Sequence, residues 1–197
     1  MLLDQLRKYS IILATGSPRR HDLLKRAGFD FSVYSDLNAD ESFPEDLKEE
    51  AIAVYVAESK SDAYPETLTE DQILITADTI VCMDKQILPK PKDRSDAVQI
   101  LERLSGNVHT VYTGVCLRSI VKRRSFISAT RVAFDMLSKE EILYYVDYFK
   151  PYDKAGAYGI QEWIGYVGVK EIHGSYFNVM GMPVHRLYRE LKQFIQL

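Results

Sequence analysis

The sequence predicts an α/β protein with a mixed β-sheet, and two observations support this fold class. Helical and strand patterns alternate through the first half of the chain, which is typical of strands joined by helices. Two long strand patterns, at 109–120 and 125–136, then follow one another across a short basic turn. With 197 residues, 46% of them hydrophobic, the chain can bury a substantial core without disulfides or structural metals.

The first half contains three strand patterns and two helix patterns. Residues 10–15 are short and apolar and predict a buried strand. Ser17 suits a helix N-cap and Pro18 the first helical position, so a helix is expected up to Gly28. Residues 29–35 alternate like a half-buried strand, and 44–64 read as one long helix. That helix has residues at helical spacing at Leu47, Ala51, Val54, Tyr55 and Glu58.

A second buried strand, QILIT, is expected to end at the sequence ADT, although IVCMD can continue it. An amphipathic helix from Arg94 is closed by Gly106. Ser138 and Glu141 form a capping box that begins another helix, and a last helix is expected over 183–196. No linker marks a domain boundary, although a division near the middle of the chain remains open.

Charge and cysteine content exclude several classes of protein. A net charge of −3 argues against general binding to nucleic acids or to anionic membranes. The N-terminus lacks the apolar centre of a signal peptide, and no apolar run approaches the ~20 residues of a membrane span. Cys82 and Cys116 do not have metal-ligand spacing, so buried thiols in a reducing compartment are expected. These features predict a cytoplasmic protein.

Two adjacent arginines, Arg19 and Arg20, stand where the strand at 10–15 gives way to a helix. A helix N-terminus offers unpaired backbone N–H groups and partial positive charge, which together favour an anion. Guanidinium groups match phosphate oxygens in pairs, so this junction predicts a phosphate clamp. The alternative is that both arginines are ordinary surface residues. The Walker pattern GxxxxGK[ST] does not occur in the sequence.

Other charged residues could complete a phosphate-handling site. Asp78 follows an apolar strand pattern, and Glu41 lies in the loop before the long helix. Lys60 and Lys90 lie in the sequences ESKSDA and PKPKD. Each of these residues taken alone is more commonly a cap or a solvated surface residue, so their order along the chain is what carries the prediction.

That order resembles the Maf family of nucleoside-triphosphate pyrophosphatases. The matching stretches are LATGSPRR, ADES, ESKSDA, ITADTIV, PKPKD, LSGNVHTVYTGV, DKAGAYGIQ and GSYFNVMGMP. They span residues 13–183, and three of them (SPRR, ADT and KAGAYGIQ) are specific to the family. Two departures are small: Thr15 stands where the family often has Ser, and Pro89 replaces the usual Gly.

The resemblance implies a single Maf-like domain over residues 1–197, with two lobes around one central cleft and a Maf/inosine-triphosphatase-like architecture. Members of the family cleave a nucleoside triphosphate between the α and β phosphates with a divalent metal, Mg²⁺ or Mn²⁺, and are often dimeric. The implied catalytic residue is Asp78, with Glu41 and Asp78 as metal ligands. The implied substrate-binding residues are Ser17, Arg19, Arg20, Lys60, Thr79, Lys90 and Gln161.

The resemblance also implies the substrate branch. Arg19, Thr79 and Gln161 match the positions that set base choice, and this combination marks the dTTP/UTP branch. The sister branch that acts on 7-methyl-GTP carries Trp, Gln and Glu there. Asp78 can act as the base for the attacking water or as a metal ligand, and the sequence leaves both roles open. Two alternative functions also stay open: a nucleotide-binding regulator of cell division, and a house-cleaning hydrolase of modified nucleotides.

Overall fold

The computed structural model describes residues 1–44 and 46–196, which contain eight α-helices and seven strands. The helices are α1 (Leu2–Leu6), α2 (Pro18–Arg26), α3 (Glu49–Asp62), α4 (Arg94–Leu104), α5 (Lys139–Phe149), α6 (Trp163–Val167), α7 (Tyr176–Val179) and α8 (Val184–Phe194). The strands are β1 (Ser10–Ala14), β2 (Ser32–Tyr34), β3 (Gln72–Met83), β4 (Gln86–Leu88), β5 (Val108–Arg118), β6 (Arg123–Phe134) and β7 (Val169–His173). A 3₁₀ turn covers Ala155–Ala157.

The described strands form one mixed sheet in the order β2-β1-β3-β5-β6-β7, with β4 paired to β3. β1 runs parallel to both β2 and β3, while β4 is antiparallel to β3 and β7 is antiparallel to β6. This sheet and its helices confirm the predicted α/β fold class. In the described part of the chain, no helix is both long enough and apolar enough to cross a bilayer.

The chain divides into two compact units. The first comprises Met1–Asp78, Thr113–Ser128 and Gly181–Leu197, and the second comprises Thr79–Tyr112 and Ala129–Met180. Three strands, β3, β5 and β6, contribute residues to both units. Each unit has buried hydrophobic clusters of its own, one around Leu74 in the first and a larger one around Leu101 and Tyr145 in the second. The predicted cleft stays a prediction.

Several predicted elements are confirmed at or close to their expected bounds. β1 ends at Ala14, and Pro18 is the first residue of α2, with Ser17 at its N-cap. The capping box of α5 is present in full: Ser138 accepts from the Glu141 backbone N–H, and the Glu141 side chain accepts from the Ser138 backbone. Gly106 follows α4 with φ +69°, a conformation that favours glycine.

Of the two interpretations of this strand, the one that ends it at ADT is wrong and the one that continues it through IVCMD is confirmed. β3 continues without interruption from Gln72 to Met83, so Asp78 lies inside a twelve-residue strand. The apolar run after Asp78 is long enough to stay in the sheet, and β4 pairs with it through Val81 and Leu88. Hydrogen bonding to a neighbouring strand therefore outweighs the polar interruption at Asp78.

The long helix is shorter than predicted and buries a different face. α3 begins at Glu49 rather than at 44, and Glu45 lies outside the described residues. Its buried positions are Ile52, Ala53, Val56, Ala57 and Ser61, whereas Tyr55 is 39% exposed. Three of these five buried residues, Ala53, Ala57 and Ser61, are small, which allows α3 to pack closely against the sheet.

Gly114 on β5 explains that close approach. A Cβ at this position would lie 2.2 Å from the carbonyl oxygen of Ala53 and 2.5 Å from the amide nitrogen of Val54. Only glycine allows the backbones of β5 and α3 to come this near. Gly114 therefore sets how closely α3 packs against β5 within the first unit.

His109 is buried in the second unit and is the basis of a pH-dependence prediction. Its ring lies edge-on to Phe134 and Tyr158, with both centroids 5.4 Å away, and Nε2 is 2.7 Å from the Tyr158 hydroxyl. Nδ1 has no hydrogen-bond partner among the described residues. Burial lowers the pKa of His109 to about 4.

Because the folded state resists protonation of His109, the unfolded chain binds the additional proton as the pH falls. The His109 contribution to stability is therefore complete above pH 6.5 and is lost between pH 6.5 and about 4. The loss amounts to about 3 kcal/mol. We expect His109→Phe to reduce the slope of unfolding free energy against pH over this window. Urea unfolding at pH 4.5 and 7 measures it, and exposed His173→Gln is the control; an unchanged slope in His109→Phe would contradict the assignment.

Candidate active site

Three charged side chains that the sequence singled out meet in the first unit. Lys60 Nζ lies 2.7 Å from Asp78 Oδ1 and 2.7 Å from Glu41 Oε1. The side chains of Lys60 and Asp78 are only 14% and 15% exposed, whereas Glu41 is 52% exposed. One ammonium therefore holds two carboxylates together, one nearly buried and one facing solvent.

Two contacts of α3 place Lys60 beside Asp78. The hydroxyl of Thr76, buried on β3, donates to the backbone oxygen of Ala57 at 2.6 Å. Thr76 is two residues before Asp78, so both side chains are expected on the same face of the strand. Ala57 is one turn before Lys60 on α3. This bond and the close approach at Gly114 hold the helix so that the lysine reaches the carboxylate.

The loop that carries Glu41 is organised locally by its neighbours. Asp40 accepts from both the backbone N–H and the hydroxyl of Ser42, each at 2.8 Å. The Ser42 backbone N–H, and then the Ser42 hydroxyl, lower the pKa of Asp40. This Asx-type turn is expected to orient the ADES segment so that Glu41 points towards Lys60.

Arg20 is buried, unlike the surface arginine that the charge pattern alone suggested as an alternative. Its Nε donates to the Gly181 carbonyl at 2.8 Å, and its Nη1 donates to Thr15 Oγ1 at 3.2 Å. Burial lowers the pKa of Arg20, while the nearby carboxylates of Asp78 and Glu41 act in the opposite direction. Arg20 therefore belongs to the same charged neighbourhood and also anchors the loop before α8.

Thr15 organises the junction between β1 and α2. Its Oγ1 also accepts from the backbone N–H of Ser17 at 3.2 Å, and its carbonyl lies 2.8 Å from His21 Nε2. Ser17 is the N-cap residue, but within the described chain its side chain does not make the capping bond. Arg19 is half-buried one position before Arg20. Thr15, which stands where the family often has serine, thus keeps the hydroxyl that accepts these hydrogen bonds.

The remaining predicted residues, Thr79, Lys90 and Gln161, lie in the second unit. Thr79 directly follows Asp78 on β3 and is half-buried, and Lys90 is exposed. The carbonyl of Pro89 accepts from the Gly156 backbone N–H at 3.2 Å, which joins the PKPKD and KAGAYGIQ segments. Although proline removes a donor at position 89, its oxygen is used in this contact.

Gln161 has a buried side-chain oxygen that no described residue satisfies. Its Oε1 has no hydrogen-bond partner among them. Buried polar atoms are nearly always paired, so this oxygen has room for a donor that the described residues do not provide. The substrate-binding role of Gln161 stays a prediction.

The chemistry of Glu41 and Asp78 fits a divalent cation that is completed by substrate. Carboxylate oxygens suit Mg²⁺ and Mn²⁺, and Mg²⁺ commonly uses one or two carboxylates together with phosphate oxygens and water. Across residues 1–44 and 46–196, no group of three or more His, Cys, Asp or Glu residues could hold a metal ion. Glu41 and Asp78, whose carboxylates both contact Lys60, stay the predicted ligands of such a cation.

Sequence reasoning missed the residues that hold the site together. Thr76 and Gly114 both act on α3. The atoms that they meet belong to the backbone of residues distant in sequence, so no spacing rule could have found them. The same holds for Tyr145, whose hydroxyl accepts from the Gly159 backbone N–H at 2.9 Å.

Comparison with known proteins identifies a family and several relatives of this chain. Residues 10–194 match the family described as Maf-like protein. A dTTP/UTP pyrophosphatase of Bacteroides thetaiotaomicron is 51% identical over 192 residues, covering 98% of this chain and 100% of the relative. The dTTP/UTP pyrophosphatase of Phocaeicola vulgatus is 52% identical with the same coverage. Among solved structures, a HAM1 protein from Coxiella burnetii aligns with a TM-score of 0.47 at 12% identity, covering 94% of this chain and 99% of that one.

Proposed function

We propose that this chain, which belongs to the Maf family, is a nucleoside-triphosphate pyrophosphatase. It would hydrolyse dTTP and UTP to the monophosphate and pyrophosphate. The observation that carries the proposal is the cluster of Lys60, Asp78 and Glu41, with Arg20 nearby. A site for a triphosphate needs cations for the phosphates and carboxylates for a metal or a water molecule. This cluster has both.

The reaction adds water across the phosphoanhydride bond between the α and β phosphates. Catalysis of such displacements is mainly positioning and charge neutralisation. We assign phosphate binding to Ser17, Arg20, Lys60 and Lys90, of which the three cations would neutralise charge on the triphosphate. A bound divalent cation would neutralise further phosphate charge, and Glu41 and Asp78 would hold it.

Asp78 is the proposed catalytic residue. Lys60 Nζ contacts Oδ1 at 2.7 Å. The proposed role of Oδ2 is to bind the attacking water and take its proton, or to ligate the cation. In either role Asp78 acts at the reacting phosphate, which is why its loss should affect turnover more than binding.

The proposed base-reading residues are Arg19, Thr79 and Gln161. Uracil and thymine present an N3–H donor beside the O4 acceptor, and a glutamine amide can pair with both. The unsatisfied Gln161 Oε1 supports this role because it can accept the N3–H. The 5-methyl group of dTTP needs only a small gap, so UTP and dTTP are expected to be used within about a tenfold range.

Product analysis with a panel of triphosphates tests the proposal. UTP, dTTP, CTP, GTP and a 5-substituted UTP are incubated with Mg²⁺, with Mn²⁺, or with a chelator. We expect monophosphate and pyrophosphate from UTP and dTTP, with loss of activity in the chelator. Binding without turnover would instead favour the nucleotide-binding regulator, and a strong preference for the modified nucleotide would favour a house-cleaning hydrolase. A preference for CTP or GTP would contradict the pyrimidine assignment.

Compartment and assembly complete the proposal. We place the protein in the cytoplasm, because both cysteines, Cys82 and Cys116, are buried thiols and not disulfide partners. The single Maf-like domain with its cleft, and a homodimer, stay predictions. Nucleic acids and membranes are not proposed partners, since the net charge is −3.

A further inference from the structure

A group of buried polar side chains lies directly beside Gln161 in the second unit. The Glu162 carboxylate receives two contacts: the Tyr145 hydroxyl donates to Oε2, and Lys154 Nζ lies 3.1 Å from Oε1. Lys154 is 9% exposed and also pairs with Asp153 at 2.7 Å. The Tyr145 hydroxyl in turn accepts from the Gly159 backbone N–H at 2.9 Å. The Glu162 carboxylate is thus held at both of its oxygens.

The Glu162 carboxylate and the Gln161 amide both lie close to Gly159. A Cβ on Gly159 would lie 2.9 Å from Gln161 Nε2 and 3.0 Å from Glu162 Oε1. The amide nitrogen of Gln161 and the carboxylate oxygen of Glu162 therefore occupy adjoining space over the same glycine. A negative carboxylate favours the NH₂ end of an amide beside it and disfavours the oxygen end. This orientation agrees with Oε1 having no partner among the described residues.

The orientation matters because a glutamine amide that rotates freely can pair with either pyrimidine. With uracil it accepts the N3–H and donates to O4, and with cytosine it can turn over and do the reverse. A fixed amide loses that freedom. If it presents its oxygen to N3, a uracil donor is satisfied, whereas the cytosine N3 acceptor faces another acceptor and remains unpaired, which is unfavourable.

We propose that Glu162, held by Tyr145 and Lys154, is a positioning residue that fixes the Gln161 amide in the orientation selecting bases with an N3–H donor. The proposal rests on the proposed base-reading role of Gln161. Tyr145 is fully buried, and burial is the main cause that raises its pKa, so the phenol keeps the proton that it donates to Glu162. The set Tyr145, Lys154 and Glu162 does not contact the substrate in this scheme and acts only through Gln161.

The test compares the ratio of kcat/KM for UTP to that for CTP in matched variants. This ratio is measured on one preparation, so it does not depend on the fraction of folded enzyme. We expect Glu162→Gln to lower the ratio at least about threefold, because a neutral amide no longer imposes an orientation on Gln161. Tyr145→Phe removes one hydroxyl from Glu162 and is expected to lower the ratio in the same direction.

Tyr158→Phe is the matched control for Tyr145→Phe. It also removes a buried tyrosine hydroxyl in the second unit, but that hydroxyl pairs with His109 and not with Glu162. We expect the control to keep the wild-type ratio even if it lowers stability. In a Gln161→Ala background, Glu162→Gln should cause no further change, because its effect passes through the missing amide. Calorimetric affinities for UMP and CMP provide the same ratio without turnover.

The outcomes separate this proposal from the one on which it rests. If Gln161→Ala changes the ratio but Glu162→Gln and Tyr145→Phe do not, base reading stands and the positioning role is overturned. If Gln161→Ala keeps the wild-type ratio, the base-reading role fails, and the positioning role fails with it. Equal losses in Tyr145→Phe and Tyr158→Phe would show a general packing effect and would also overturn the proposal.

Discussion

Asp78→Asn is expected to lower kcat for UTP by about 10²- to 10⁴-fold while nucleotide binding remains measurable. The amide keeps the size of the side chain and can still face Lys60, but it cannot take a proton and is a poor metal ligand. Lys60 and Arg20 stay in place to hold phosphates, so binding should persist. Steady-state kinetics with saturating Mg²⁺ and calorimetry with UTP separate the two effects.

The control for this substitution is Asp147→Asn. Asp147 also pairs with a cation, Arg94, at 2.6 Å, but its side chain is 48% exposed and lies in the second unit. The same chemical change at an exposed ion pair should leave kcat near the wild-type value. A near-normal kcat for Asp78→Asn at saturating metal would remove Asp78 from the catalytic role.

Gly114→Ala is expected to lower the free energy of unfolding by about 3 kcal/mol. The new methyl group would lie 2.2 Å from the Ala53 carbonyl oxygen, and no side-chain rotation can relieve a contact with backbone. α3 must then move away from β5, which exposes its buried face. Urea unfolding followed by circular dichroism measures the change.

Gly16→Ala serves as the matched glycine substitution in the first unit. The nearest atom that its Cβ would meet is the Ser35 carbonyl oxygen at 3.8 Å, an ordinary contact. Its effect on unfolding free energy should stay within about 1 kcal/mol. If Gly114→Ala is as stable as Gly16→Ala, the close approach of α3 to β5 does not determine the stability of this unit.

Local sequence signals predicted the fold well wherever the determining partners are close in the chain. The capping box at Ser138 and Glu141, and Pro18 at the first position of α2, involve residues within one helical turn. The bounds of β5 and β6 were also predicted to within a few residues, because their apolar alternation is long.

The signals failed where distant residues decide the outcome. The buried face of α3 depends on Gly114, which is more than fifty residues away from that helix. For the site, the sequence named Lys60, Asp78 and Glu41, and the structure brings these three together. The sequence could not show that Arg20 is buried and hydrogen-bonded to Gly181, because that contact spans 161 positions.

The bonds of Arg20 to Gly181 and Thr15 suggest how such a chain can change its substrate during evolution without losing its fold. Arg20 makes the hydrogen bonds that connect the start of α2 to Gly181 and Thr15. Its neighbour Arg19 is half-buried and is proposed to contact the nucleobase. On this assignment, a substitution of Arg19, for example by tryptophan, can change which nucleobase is bound, while Arg20 keeps the contacts that hold the fold. Of two adjacent and chemically identical residues, one is expected to vary among paralogues that differ in substrate, and the other to remain arginine in all of them.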